Sequence, residues 1–182
     1  MAGSSENVMR AIELRVHDIG QLFHTLDPLP YRERDLDERV EEYVVGWAGE
    51  MSHGPSEIVI HLPADQAARE EAAHIQDAVH NYFAYRANVT TWELHELFRI
   101  GRGALIVGLA VLAGSVVLAR TLGELLGGGD LARFAEEGLI IMGWVANWRP
   151  VQIFLYDWQP LVRRRRLYRR LAAIPVRLAP SP

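Results

Sequence analysis

Apolar and polar residues alternate through residues 12–16, and a second short segment at residues 57–62 has apolar residues at every other position, namely Ile58, Ile60 and Leu62. A period of two is that of a half-buried β-strand, which would turn Ile58, Ile60 and Leu62 inward in the second segment. Helical patterns separate the two segments, so a tight hairpin cannot join them. The spacing therefore predicts a parallel pair with a right-handed crossover.

Two helical patterns fill the interval between these strands. Asp18 is placed to cap a short helix whose apolar positions are spaced i, i+3, i+4 and i+7, namely Ile19, Leu22, Phe23 and Leu26. Further on, Asp35 and Glu38 have the spacing of a capping box. The helix that they open has one predicted apolar face, formed by Leu36, Val40, Tyr43, Val44 and Trp47.

A third strand is predicted at residues 174–178. Val176 and Leu178 alternate with Arg177, and Pro175 is tolerated at a sheet edge, where its missing N–H is not needed. Two strands alone make a poor sheet, so we expect this segment to dock on the first two as an edge strand. The alternative is a disordered terminus, which the composition favours for residues 179–182 in either case.

The second half of the chain contains two long apolar stretches. Gly103 to Ala119 holds 17 residues without a charge, and residues 138–158 form the second stretch. Each is close to the length that a helix needs to cross a hydrocarbon core of about 30 Å. The helical pattern before the first stretch begins at Asp65, so one helix could continue from residue 65 to residue 119, with Gly101 or Gly103 as possible kinks.

Charge divides the chain in the same way. Residues 1–98 carry 18 acidic residues against seven arginines, whereas residues 99–182 carry 12 arginines against five acidic residues. The segment 120–137 has four acidic residues and two arginines. Because arginine-rich flanks stay in the cytoplasm, both termini are expected there and segment 120–137 in the periplasm. The polar amino terminus lacks the apolar core of a signal peptide.

The predicted fold class is an α+β membrane protein of the bacterial inner membrane, with a small cytoplasmic α/β head of two or three strands on a two-helix transmembrane hairpin. The head occupies residues 1–64, and residues 65–99 form a helix that joins it to the membrane. Transmembrane helices span residues 100–119 and 138–158, with a periplasmic loop at 120–137. Residues 159–182 form a basic cytoplasmic tail.

The most informative polar residue in the second stretch is Arg149, expected near mid-membrane. No acidic residue lies three or four positions away, although Pro150 frees the carbonyl of Ala146 as an acceptor. A buried arginine can mark a headgroup, ion or substrate contact, or it can bond across a helix interface or reach the membrane surface. The other intramembrane polar residues are Asn147, Gln152 and Asp157.

Small residues predict close helix contacts. Gly103, Ala110 and Gly114 share one face of the first stretch, and Gly143 lies four residues before Asn147 in the second. Such faces allow helices to approach within the hairpin and between copies. The pattern therefore predicts a homo-oligomer.

The arginine cluster after the second stretch predicts binding of anionic phospholipid headgroups, since basic residues near a membrane surface attract them. Its members are Arg163, Arg164, Arg165, Arg166, Arg169 and Arg170. A groove-reading motif is absent, so nucleic acid is not expected as a partner. The chain has no cysteine, and its seven histidines lack a metal-ligand spacing. We expect no metal, no cofactor and no enzymatic activity.

Several segments resemble a family of uncharacterised bacterial inner-membrane proteins with two spans. The resemblance covers most of the chain and is carried by residues 12–16, 33–37, 42–47, 82–86, 148–150 and 154–158, followed by Pro160 and the arginines. It implies the same membrane threading and adds no activity. It also marks Arg149, Pro150 and Asp157 as residues to test.

These observations favour a non-catalytic scaffold or accessory subunit that assembles with itself or with a larger membrane complex. The alternative is a small oligomeric channel or transporter whose pathway includes Arg149. A conducting oligomer would have a wet central path lined by Asn147, Arg149 or Gln152, whereas a scaffold would present lipid or packed side chains there.

Overall fold

The computed structural model describes residues 11–24, 34–51, 54–125, 127 and 129–181, and the chain forms two compact units. The first, which we call the head, is Met1–Thr90 together with Arg163–Pro182. The second, which we call the insert, is Thr91–Val162. The head is therefore larger than the predicted residues 1–64, because it takes in chain from both sides of the insert.

The head contains a three-stranded sheet of β1 (Ala11–Arg15), β2 (Glu57–Leu62) and β3 (Val176–Pro180). The strand order is β1-β2-β3 and both pairings are parallel, with Ile58 opposite both Ile12 and Val176. The predicted parallel pair and the third edge strand are confirmed. β3 starts two residues later than predicted, because Pro175 contributes only its carbonyl, which accepts from Ile58 N at 2.9 Å.

Within the described residues the α-helices are α1 (Glu38–Glu50), α2 (Ala64–Ala67), α3 (Ile75–Leu125), α4 (Asp130–Val145), α5 (Trp148–Gln152) and α6 (Trp158–Leu171). The same part of the chain has 3-10 turns at Ile19–Leu22 and Glu70–His74 and a π-helical turn at Ile153–Asp157. The predicted cap at Asp18 is confirmed, since its side chain accepts from Gly20 N. Leu26 lies outside the described residues.

One core holds the head together, and it lies on the face of the sheet that carries Ile12 and Ile60. Side chains from α1, α3 and α6 fill it, with the largest fully buried ones including Phe83, Tyr168 and Leu171. Burying each such side chain contributes about 1.5–3 kcal/mol. The core therefore draws on segments that lie far apart in the sequence.

The apolar face of α1 differs from the predicted one. Tyr43 and Trp47 are 44% and 49% exposed, whereas Val44 and Ala48 are buried. The N-cap is Asp37, two residues after the predicted Asp35, and the side chain of Asp37 accepts from the backbone N–H of Arg39. The helix is therefore rotated relative to the predicted one, and it brings Glu41 toward the core.

The long helix is confirmed from Ile75 onward. It is interrupted before that residue by the turn and 3-10 segment that follow α2, and it then continues to Leu125 without a break at Gly101 or Gly103. The 3-10 turn Glu70–His74 and α3 together form the helical segment Glu70–Leu125. Among the described residues, this segment is the one helix that is long and apolar enough to cross a membrane, by length and composition. Only 17% of its apolar window is buried, unlike the core helix of a soluble protein.

The sequence predicts one uninterrupted α-helix for the second apolar stretch, but the structure shows a broken one. α4 ends at Val145, a turn follows, and α5 passes into the π-helical turn. Pro150 causes the first break, since it has no N–H for the carbonyl of Ala146. Most of the predicted loop 120–137 is also helical, because α3 runs to Leu125 and α4 begins at Asp130.

We predict that Val176→Asp destabilises the head, because this side chain is buried in the core beside Ile58 of β2. An unpaired carboxylate there costs about 2 kcal/mol or more. The readout is hydrogen exchange of the β2 amides in the full-length protein in mild detergent, which should become markedly faster. Arg177→Ala is the matched control, since its exposed pair with Glu57 contributes about 0–1 kcal/mol. Unchanged exchange in Val176→Asp would show that β3 does not stabilise the sheet.

Candidate functional site

Glu41 lies at the centre of a buried polar network in the head. Its Oε1 accepts from Arg86 Nε at 2.9 Å and from the hydroxyl of Tyr168 at 2.7 Å, and its Oε2 accepts from the hydroxyl of Tyr82. The side chain is 12% exposed. Glu41 belongs to α1, Tyr82 and Arg86 to α3, and Tyr168 to α6, so one carboxylate joins three helices.

Tyr168 lies between two guanidinium groups. Arg86 and Arg164 each lie 5.5 Å from the centre of its ring, where the negative face of the π-system attracts a cation. Both also donate to its hydroxyl, at 3.3 Å from Arg86 Nη2 and 2.9 Å from Arg164 Nε. The hydroxyl thus accepts twice while it donates to Glu41, which uses its full hydrogen-bonding capacity.

The network shifts the pKa values of its members. Burial raises the pKa of Glu41, but the hydrogen bonds from Tyr82 and Tyr168 and the charge of Arg86 outweigh burial, so its pKa lies below the ordinary 4.5. Burial and the neighbouring Glu41 raise the pKa of Tyr82. Burial lowers the pKa of Arg86, but Tyr168 and Glu41 more than reverse that, and the net shift is upward. The carboxylate therefore stays ionised and both donors keep their protons at neutral pH.

A cavity of about 540 Å³ borders this network. Its lining residues are His24, Asp35, Leu36, Glu38, Glu41, Tyr82, Tyr85 and Arg86. Both oxygens of Glu41 already accept hydrogen bonds, which leaves this carboxylate poorly suited to act as a base. Among the described residues no group of three or more His, Asp or Glu side chains could hold a metal ion. The contacts give the network a structural role.

The six predicted lipid-binding arginines divide into two groups. Arg164 bonds to Tyr168, Arg165 has its Nε buried without a hydrogen-bond partner among the described residues, and the guanidinium of Arg170 lies so close to Gly54 that a Cβ there would clash. The other three are exposed and make no hydrogen bond or ion pair with any residue that the structure describes; they are Arg163, Arg166 and Arg169. Half of the cluster therefore remains available to a ligand.

In the insert, Asn147 ties the second apolar stretch to α3. Its Nδ2 donates to the carbonyl of Gly108 and to that of Gly143, both at 3.0 Å. Gly143 also packs closely, since a Cβ there would lie 3.1 Å from the Cα of Leu112 and 3.2 Å from the Cβ of Ser115. Gly143 and Asn147 therefore lie where the second apolar stretch contacts α3 in this unit.

The face predicted from Gly103, Ala110 and Gly114 does not take part in this packing. All three residues are exposed, and no side chain or distant backbone lies within 4 Å of a Cβ built at Gly103 or Gly114. A different row of small residues on α3 is buried or in contact with the second apolar stretch. This row consists of Gly101, Gly108, Ser115 and Ala119. At about 100° per residue, the two rows lie on opposite sides of the helix.

Arg149 pairs with Asp157, although eight positions separate them in the sequence. Nη1 of Arg149 lies 3.4 Å from Oδ2 of Asp157. In a regular α-helix, residues eight apart are about 80° apart around the axis. The π-helical turn Ile153–Asp157 acts as one inserted residue, which brings Asp157 to within about 20° of Arg149. Asp157 therefore supplies the acidic partner that no residue three or four positions from Arg149 could supply.

The contacts between the two apolar stretches show which part of α3 lies beside Arg149. Gly108 contacts Ala146 and Asn147, and Gly101 contacts Ile153, so the two arms of the insert, which are α3 and the second apolar stretch, run antiparallel. Arg149 must lie alongside the part of α3 between Gly101 and Gly108. That part is near one end of the uncharged stretch and not at its middle. Gln152, on α5, is partly buried.

Side chains also bond to carbonyls around the π-helical turn. Trp158 Nε1 donates to the carbonyl of Phe154 at 3.0 Å, and Gln159 Nε2 donates to that of Leu155 at 2.8 Å. A change from π to α geometry alters which carbonyls have backbone partners. These bonds offset that change in an apolar segment.

Glu41 and its network were not among the residues predicted from the sequence. A glutamate beside a second glutamate, Glu42, is typical of a solvated face, and helical spacing alone does not reveal its burial. The available signal is the paired spacing of arginine and tyrosine at i and i+4, which occurs as Tyr82 with Arg86 and again as Arg164 with Tyr168. Arginine N–H groups and tyrosine hydroxyls grouped in this way can together donate hydrogen bonds to one carboxylate.

Comparison of the chain with protein-family models, with curated proteins and with solved structures finds no match. The resemblance to a two-span membrane family therefore stays an expectation.

We predict that Glu41→Gln lowers the free energy of unfolding of the head by about 1.5–3 kcal/mol at pH 7, the usual range for hydrogen bonds to a charged group. Because the folded pKa of Glu41 lies below 4.5, its contribution is complete above that pH and is lost as the pH falls through the folded value. The gap between wild type and Glu41→Gln should therefore shrink in acid.

Urea titrations at several pH values, followed by near-ultraviolet circular dichroism, measure this gap. Glu42→Gln is the matched control, since Glu42 is the exposed neighbour on the same helix. A gap of equal size at every pH would show that ionised Glu41 does not stabilise the fold.

Proposed function

We propose that the protein is a non-catalytic scaffold or accessory subunit of the bacterial inner membrane, with the insert crossing the bilayer twice and the head in the cytoplasm. The observation that carries this proposal is the pairing of β2 with β3. β2 precedes the insert and β3 follows it, yet the two strands are hydrogen-bonded in one sheet. A chain that leaves and re-enters the same domain must cross a bilayer an even number of times.

The first crossing is assigned to α3. Its uncharged part, from Gly103 to Ala119, spans about 26 Å at 1.5 Å per residue. The return crossing is assigned to residues 138–158, whose 21 residues can span about 30 Å. Large apolar side chains stand exposed along this return path, and they are Ile141, Trp144, Val145, Trp148 and Leu155. An apolar surface of this extent is suited to lipid and not to water.

The broken helices of the return path are compatible with a membrane because their polar groups are paired. Interrupted helices are tolerated there only when neighbouring groups satisfy the freed backbone. Asn147 bonds to two carbonyls, and Trp158 and Gln159 each bond to one.

The proposed orientation follows from charge. Arginines crowd the head side of the return path at residues 163–170, and segment 120–137 at the far side has four acidic residues against two arginines. Cytoplasmic flanks carry the excess of basic residues. The exposed arginines of α6 would then meet the anionic lipid of the cytoplasmic leaflet, at about 1 kcal/mol per residue.

The second candidate, a small oligomeric channel or transporter, is favoured by the exposure of Arg149, which is 61% for its side chain. A pathway that includes this residue would have to run between copies. Single-channel recording in planar bilayers separates the two candidates, because only the second gives discrete conductance steps that Arg149→Gln alters.

We predict that reporter fusions place residue 181 in the cytoplasm and residue 127 in the periplasm. A reporter that is active only in the cytoplasm should be active after residue 181 and inactive within the turn at Gly127, and a periplasmic reporter should give the reverse. A fusion at residue 10 is the control for the first end of the head. Periplasmic activity after residue 181 would contradict the proposed threading.

We predict that Arg163→Gln, Arg166→Gln and Arg169→Gln together abolish the enrichment of anionic lipid around the protein. Each single substitution should lower the ratio of bound anionic lipid to bound neutral lipid about fivefold, the factor that corresponds to about 1 kcal/mol. The measurement is the ratio of phosphatidylglycerol to phosphatidylethanolamine that co-purifies in nanodiscs. The matched control is the triple variant Arg15→Gln, Arg39→Gln and Arg69→Gln, which removes the same charge from exposed head positions. Equal enrichment in both triple variants and in the wild type would rule out headgroup binding by α6.

A further inference from the structure

We infer that two copies of the chain associate through the face of the insert that carries Arg149 and Asp157, with each arginine bridging the carboxylates of both copies about a two-fold axis. This inference rests on the proposed function, because it assumes that the insert lies in the membrane. It names the surface and the partner that the scaffold would use to assemble with itself.

The ion pair of Arg149 and Asp157 lies on the exposed side of the second arm. Gly143, Asn147 and Pro150 lie on the side of the second arm that is buried or in contact within the insert. Arg149 is 61% exposed for its side chain, and the π-helical turn brings Asp157 to the same side as Arg149. The ion pair therefore faces out of the insert.

The guanidinium of Arg149 has more hydrogen-bond donors than Asp157 uses. A guanidinium has five N–H donors in a planar fork. Among the described residues, Arg149 makes one contact, from Nη1 to Asp157 at 3.4 Å, and its other donors have no partner there. These donors are left for a further acceptor at the end of the apolar stretch, where Arg149 lies.

The further acceptor for Arg149 is better supplied by a second copy of this chain than by a lipid phosphate. Asp157 puts a negative charge where a lipid phosphate would have to bind, and that charge opposes a second anion. A second copy of this chain instead supplies both signs at the same depth. About an axis along the membrane normal, the two arginines and two aspartates alternate in sign, as a self-complementary two-fold contact requires. Trp148 and Tyr156, both exposed, provide the apolar surface around them.

The exposed row of Gly103, Ala110 and Gly114 is the competing surface. It allows close approach of a helix, but it carries no charge that would select a second copy. The two surfaces belong to different arms of the insert, so crosslinking can tell them apart.

The experiment uses single cysteines in the full chain in native membranes. The chain contains no cysteine, so each introduced thiol is the only one present. Gln152→Cys, one turn from Arg149, tests the inferred face, and Ala110→Cys tests the competing row. With a short bis-maleimide we expect a covalent dimer from Gln152→Cys and monomer from Ala110→Cys. The inference is overturned if Ala110→Cys gives a dimer and Gln152→Cys does not. It is also overturned if a crosslinked product forms only when the two variants are co-expressed, because the two faces would then contact each other.

Charge reversal tests the bridging itself. We expect Arg149→Asp and Asp157→Arg each to lower the dimer population by at least about tenfold in native mass spectrometry, and the double reversal to restore it. An unchanged dimer population in both single variants overturns the inference. Carbonate extraction separates its failure from that of the proposed function. A protein that stays in the membrane as a monomer contradicts only the dimer, whereas one that is released by carbonate contradicts the membrane role.

Discussion

The parallel pairing of β2 with β3 is the constraint on which the rest of the molecule depends. Strand pairing fixes positions to within a single residue, and here it joins segments on either side of the insert. Everything between them must therefore start and finish at the same sheet. A soluble α/β domain meets this requirement with a short crossover helix. This chain meets it with a long excursion that first leaves along α3.

The Glu41 network adds a second closure of the same kind. Its carboxylate lies before the insert, and Tyr168 lies after it. The sheet and the network thus hold the returning chain at two separate places, one through backbone hydrogen bonds and the other through side chains. A buried charge is costly unless it is fully bonded. Here three donors meet it, so the cost of burying Glu41 is offset only when α1, α3 and α6 are all in place.

The strands were predictable because alternation is a local pattern, and the third was predictable because two strands cannot form a stable sheet. Four features were not, for physical reasons. Glutamate is usually solvated, so burial of Glu41 depends on donors from distant helices. α3 carries two rows of small residues, Gly101 with Gly108 and Gly103 with Ala110, and spacing alone cannot choose between them. The 3-10 interruption after α2 has no proline or glycine to mark it. The π-helical turn shifts the face of Asp157 by one position, which a regular helical period cannot anticipate.

The distance between paired strands bears on how the molecule is made. Ile58 and Val176 are opposite each other in the sheet but 118 residues apart in the chain. Ribosomes add about 5–20 residues per second, so β2 is synthesised roughly 6–24 s before its partner. During that interval the edge of β2 is open, and the apolar segments of the insert emerge in between. In the proposed membrane arrangement, the insert would therefore reach the membrane before the head can complete its sheet, and the edge of β2 would stay open during that interval.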